Sequence, residues 1–352
     1  MRAPEGGTGT RAGQQDRPPT QDGWRVVRTL GTARVRTTVL TRSGGADGAR
    51  GEHLWVRRPG PAHEGDLPRP DAATTAKLRA PARTGPVRLA LPDDRIDGHD
   101  GHGGADEVRY SVPGAFSAAR LLHVPGEEAH ASVREALRGV GVTLRRLHEV
   151  PAPPGRDTPP PGPARLLRWL RSGDGAGSAA RLHRAAVTRL GARRLELLAA
   201  WAGSAATGPG RRVLLHGGPA LGSLVLPWGG DPGPPALLTG EELAWGAADF
   251  DIAWLLAELT ELALARDRGI GGVPAADIPA LSGAVTDGYG GTPSQPLLRR
   301  VTALRVLTHA HDFASYVGWH EELTVYLDLV ATATESAEDG DRDKGQAARN
   351  SG

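Results

Sequence analysis

The chain has no cysteine among its 352 residues. Disulfide frameworks, thiolate zinc sites and cysteine nucleophiles are thereby excluded, and the absence fits a reducing compartment. Lysine is nearly missing as well: only Lys77 and Lys344 occur, so arginine carries almost all the positive charge. Beside abundant Gly, Ala and Pro, that bias is typical of a high-GC genome and is poor support for phosphate binding. Basic and acidic residues nearly balance, 42 against 40, which leaves little to argue for nucleic acid. No segment reaches the roughly 18 uninterrupted apolar residues of a spanning helix, and the first residues lack the apolar core of a signal peptide. The expectation is a soluble, cytoplasmic protein with no membrane or nucleic-acid partner.

What is present changes character along the chain, which is long enough to bury a substantial core. Residues 1–22 and 336–352 are polar and aperiodic and read as disordered tails. Between them, residues 23–125 read as a β-rich lobe. Strands are expected in WRVVRTL from Trp24, ARVRTTVLTRS, HLWVRRP, PVRLAL and EVRYSV, a short helix over Ala72 to Arg79, and a further apolar strand in SAARLLHVPGEEA. Residues 126–335 turn helical. Val133, Leu137, Val140, Leu144 and Leu147 recur at helical spacing, and after the proline-rich run PAPPGRDTPPPGP helices are expected over 164–171, 179–202, 251–267, 278–289 and, in one or two pieces, 296–334. The fold class is therefore α+β, with two lobes.

Four segments, in order, carry a resemblance: VTLRRLHEVP at 142–151, VLLHGG at 213–218, AWGAADFDIAWLL at 244–256 and AVTDGYGG at 284–291. Together they resemble the aminoglycoside phosphotransferase and choline-kinase-like family, which implies a bilobal protein-kinase-like fold. That family's catalytic loop reads His-Gly-Asp, four residues, then Asn; its Asp positions the acceptor hydroxyl and its Asn helps hold magnesium. The matching positions here are His216, Gly217, Gly218 and Ser223. The family's next metal-binding Asp falls on Thr239. By the resemblance, His216 and Asp251 brace the loop, with Asp251 also capping a helix, while Trp245, Phe250 and Trp254 pack the junction. In the first lobe only Gly31 remains of a glycine-rich phosphate loop, and Arg57 stands where a strand Lys contacts phosphates. Glu64 is the sole nearby candidate for its acidic partner.

Other constellations have bland and sharp readings side by side. Glu241, Glu242, Asp231 and Asp249 are either relocated metal ligands or solvated charges suited to a helix start. The DGHDGHGG run at 97–104 brings Asp97, His99, Asp100 and His102 into a flexible polar loop or a metal site. His309, His311, Asp312 and His320 lie on expected helix, where i and i+2 face apart. HGGPALGS resembles a hydrolase oxyanion loop, but no Gly-x-Ser-x-Gly elbow accompanies it. The departures at Gly218, Ser223 and Thr239 imply a pseudokinase: a binding, scaffold or regulatory protein with a protein, peptide or small-molecule partner, such as one in bacterial peptide natural-product modification. No cofactor is then expected. The alternative is a divergent phosphotransferase using ATP and Mg2+, with Glu241 or Glu242 as metal ligand and Gly31 and Arg57 toward the nucleotide phosphates.

Overall fold

The computed structural model describes residues 23–42, 51–93, 107–155, 158–208 and 211–350. The 1–22 tail and the His-containing 97–104 run lie outside them. A first sheet is built from β1 (Trp24–Gly31), β2 (Val35–Arg42), β3 (Glu52–Pro59) and β5 (Val108–Val112), all antiparallel in the order β1-β2-β3-β5. Helix α1 (Ala72–Thr84) is started by Asp71, whose carboxylate accepts the N–H of Thr74 at 2.7 Å. Helices dominate the rest, so the α+β, two-lobe reading holds.

The lobes are stitched by a second sheet that the sequence does not announce. Strand β4 (Arg88–Ala90) stands outside the first sheet and pairs in parallel with β9 (Ala236–Leu238). That strand is antiparallel to β8 (Leu224–Leu226), which in turn takes β6 (Phe116–Ser117). Residues on both sides of position 125 therefore share one sheet. The segment expected as an apolar strand after β6 is instead the short helix α2 (Ala118–Leu121). Ser117 caps it by accepting the N–H of Arg120 at 3.4 Å, and its two buried residues, Ala118 and Leu121, lie three apart.

Helices α3 (Glu127–Leu147), α4 (Pro161–Ser172), α5 (Ala179–Gly203, kinked at Gly191), α6 (Asp249–Asp267), α7 (Ile278–Tyr289), α8 (Gln295–Tyr316) and α9 (Glu322–Asn350) follow. Helix α9 continues past Ser336, where the sequence reads as a tail: Ala337 is buried and Glu338 lies 3.1 Å from Arg193. Helix α6 buries apolar residues on two faces because it runs between two cores. Phe250, Ala253, Trp254 and Ala257 face one, and Ile252, Leu255, Leu256 and Leu259 face the other. A third core, around Val39, Trp55 and Tyr110, fills the first lobe.

Helices α3 and α7 approach closely through glycines. A Cβ on Gly288 would stand 1.9 Å from the carbonyl oxygen of Arg138, and one on Gly141 would stand 2.4 Å from that of Val285. Alanine favours helix over glycine by about 1 kcal/mol, but a backbone clash this short forces the helices apart. Gly288→Ala is expected to cost about 1–3 kcal/mol net, read as a lowered urea midpoint; a stabilised variant would refute the close contact.

Candidate functional site

The site lies where strand β7 (Val213–Leu215) pairs with β10 (Ala244–Gly246) above the start of α6. The three apolar residues of β7 are buried, and they deliver His216 and Gly217 onto Asp251. Asp251 is fully buried and accepts three hydrogen bonds: from the N–H of His216 at 2.7 Å, the N–H of Gly217 at 2.9 Å and Nε2 of His148 at 3.0 Å. It does not cap α6, because it sits inside the first turn behind Ala248. The expected capping role is thus replaced by a brace between helix, loop and the end of α3. Nδ1 of His148 meets the Tyr289 hydroxyl at 3.0 Å, which ties α7 to the same point. Burial, with Asp249 and Asp251 nearby, pushes the Tyr289 hydroxyl up to about 12.

His216 is buried, and its Nε2 lies 2.9 Å from the carbonyl oxygen of Leu238. A carbonyl only accepts, so Nε2 carries the hydrogen. This bond links the loop to the strand carrying Thr239. Farther along the loop, the N–H of Leu221 donates to Glu258 at 3.0 Å. Glu258 is two helical turns beyond Asp251 and therefore on the same face of α6. That spacing was the available sequence signal for a second loop brace, and it was missed. Burial pushes the Glu258 carboxyl up, against the pull of the Arg305 guanidinium and the Leu221 N–H.

The positions where chemistry would be sought are filled from within. Gly218 has no side chain, and the space its Cβ would occupy is held by Glu242, whose Oε2 would lie 1.8 Å from it. Ser223 donates to the carbonyl of Ala220 at 2.9 Å and accepts that residue's N–H at 3.3 Å. Thr239 is buried and donates to the carbonyl of Leu237 at 2.8 Å. Arg57 reaches across from β3 to Glu241 at 2.8 Å, and the Tyr110 hydroxyl donates to the same carboxylate oxygen at 3.1 Å. Burial and the neighbouring Glu241 charge push the Tyr110 hydroxyl well up. Tyr110 joins this group unannounced, because a tyrosine in a strand carries no sequence signal for it.

Gly31 ends β1 in a tight turn, where a Cβ would meet the Val35 carbonyl oxygen at 2.6 Å. Next to it, the N–H of Ala33 donates to the carbonyl of Tyr316 at 2.8 Å, so this turn is fastened to the helical lobe. Glu64 is exposed, and the partner of Arg57 is Glu241 rather than Glu64. Asp231 lies 3.1 Å from His53, and Asp249 is exposed in the first turn of α6. Phe250 and Trp254 pack with ring centroids 5.4 Å apart. His309 and His311 on α8 pair with Glu261 and, at 2.9 Å, with Asp312; His320, expected on helix, lies instead in the connection before α9 and pairs with Glu322 at 3.4 Å, so the three histidines have separate partners. Among the described residues no three His, Asp or Glu side chains stand close enough to hold a metal ion, and none of their helices is long and apolar enough to cross a membrane.

A loop braced on a buried helix Asp, under a sheet-rich lobe and over a helical one, defines a phosphotransferase-type, protein-kinase-like fold. The model of the phosphotransferase enzyme family matches residues 100–283, more than half of the chain, and the chain belongs to that family. In structure it is similar to a spectinomycin phosphotransferase solved with ADP and spectinomycin, at 12% identity and TM-score 0.50, covering 90% of this chain and 93% of that one. It is also similar to an ethanolamine kinase of Plasmodium vivax, at 9% identity and TM-score 0.51, covering 89% and 82%. No curated protein matches it in sequence.

Proposed function

We propose that the chain is a pseudokinase of the phosphotransferase family, a binding, scaffold or regulatory protein that keeps the fold and has given up phosphoryl transfer. The observation that carries this reading is the Arg57–Glu241–Tyr110 junction. Arg57, which stands where the family's phosphate-contacting Lys would be, is neutralised by a carboxylate of the chain itself. Magnesium, which the family implies, does not fit the residues present. Thr239 and Ser223 offer only neutral hydroxyl oxygens where the family has a carboxylate and an amide, the Ser223 oxygen already accepting the Ala220 N–H, and Glu241 Oε1 is taken by Arg57 and Tyr110. Hard cations need several free oxygen ligands.

A second reading has one observation in its favour: Glu242 places a carboxylate in the space of the family's catalytic Asp. Divergent transfer to a small-molecule or peptide hydroxyl would use that group as the base. Thermal-shift titration separates the two. A ligand that binds only the folded state at 100 times its Kd stabilises by about 2.7 kcal/mol. Millimolar ATP with magnesium is expected to leave the melting temperature within error. A metal-dependent rise, together with phosphate transfer that disappears in Glu242→Ala, would establish the active enzyme instead.

A further inference from the structure

Beyond the filled centre, an open cavity of about 770 Å3 separates the two lobes. That is within the range of small-molecule sites. Arg34 and the loop carrying His63 form one wall, and α4 with the end of α8 forms the other. Tyr316 gives it aromatic surface, with the buried Trp169 behind it, and Ala62, Ala164 and Pro161 extend the apolar lining.

The charged groups are unevenly placed. Arg165 lines the inner wall with its side chain only 12% exposed, and Nη2 donates to Asp312 at 3.0 Å. Its Nε and Nη1 are buried and have no hydrogen-bond partner. A guanidinium offers five donor hydrogens and no acceptor, and unspent buried donors are costly; these two atoms are closed off in this arrangement, so a head group reaches them only as the Arg165 side chain turns toward the cavity. Arg168 follows one turn along α4, on the same side of the helix, and is exposed into the cavity. Arg34 enters from the other lobe, its guanidinium 5.7 Å from the centre of the Tyr316 ring. The acids that line the cavity, Glu64, Asp66 and Asp174, are all exposed, as Arg168 is, so water and salt screen both signs there and Arg165 is the charge least screened.

We propose that this cavity binds a small organic acid, a ligand with a carboxylate or phosphate-monoester head received by Arg165, Arg168 and Arg34 and an apolar body against Tyr316, Ala62 and Ala164. Charge-assisted bonds to a guanidinium suit both head groups. The site needs neither nucleotide nor metal, and so stands apart from whether the chain transfers phosphate.

Calorimetric titration of the full chain at low ionic strength, without metal or nucleotide, tests it with three matched probes: phenyl phosphate, phenylacetate and benzylamine. At least one acid is expected to bind with sub-millimolar Kd. Phenyl phosphate alone would identify a phosphate-monoester ligand, phenylacetate alone a carboxylate, and both the shared chemistry. Arg34→Gln combined with Arg168→Gln should weaken the acid by about ten-fold, with the melting temperature unchanged. Arg165→Lys, which keeps a cation beside Asp312 while removing the unspent donors, should weaken it also. Arg171→Gln, on α4 but outside the cavity, should change nothing and so controls for net charge. Binding of benzylamine in place of the acids, no binding of either acid, or acid binding indifferent to the arginine variants would overturn the proposal.

Discussion

Asp251→Ala is expected to destabilise the protein by about 3–5 kcal/mol, the penalty typical of removing one partner from a buried charged network. The variant strands three donors at once: the N–H groups of His216 and Gly217 and the ring N–H of His148. All three are held where water does not reach, and each unsatisfied buried donor costs about 1–3 kcal/mol before relaxation. Asp251→Asn should fall between, since its amide oxygen still accepts while its NH2 faces donors. Urea unfolding followed by tryptophan fluorescence reads the difference as a lowered midpoint at constant slope. A loss below about 1 kcal/mol would show that the loop holds its shape without α6.

The same residue shows which parts of the fold were legible in the sequence. Helix α6 was readable because Ile252, Leu255, Leu256 and Leu259 recur at helical spacing, and α7 because Ile278 to Tyr289 runs from an aspartate to a glycine. In α7 the Asp277 carboxylate accepts the N–H of Ala280 at 3.0 Å, and Gly290 takes φ 78° at the end. These are local signals, decided within a few residues. The sheet of β4, β9, β8 and β6 was not legible, because it joins strands of two or three residues across separations of about 110 to 150 positions, and their pairing is set only by the packed lobes. Helix α2 was lost to the same cause: its apolar residues are too few to show a period.

At the candidate site, the missing groups were legible and their replacements were not. Gly218, Ser223 and Thr239 could be aligned by counting from His216 and Asp251. Which of Glu241 and Glu242 turns toward which neighbour depends on adjacent side chains leaving the chain in different directions. Glu241 goes to Arg57 and Tyr110, and Glu242 goes to Gly218. Spacing in the sequence says nothing of this, and only the closeness of β3 and β5 to the segment before β10 decides it.

That division makes Gly217 and Gly218 behave differently, though they are neighbours in one motif. Gly217 has φ 86°, a conformation that L side chains rarely adopt, and its Cβ would lie 1.7 Å from the backbone carbonyl oxygen of Glu242. Neither obstacle moves cheaply. Left-handed strain costs about 1–3 kcal/mol, and overpacking against backbone adds about 1–3 kcal/mol more, so Gly217→Ala should lose about 2–6 kcal/mol. Gly218 faces only the far end of a flexible side chain, with Glu242 Cδ at 3.0 Å and Cβ at 3.7 Å. Gly218→Ala should therefore cost no more than about 1–2 kcal/mol, as Glu242 swings away. A double-mutant cycle measures this directly, because residues in contact couple and distant ones add. In a Glu242→Ala background the further cost of Gly218→Ala should shrink toward zero, while that of Gly217→Ala should stay nearly whole, since its clash is with backbone. Equal costs for the two glycines, or a Gly218 effect unchanged without Glu242, would mean that the carboxylate does not occupy the vacated position.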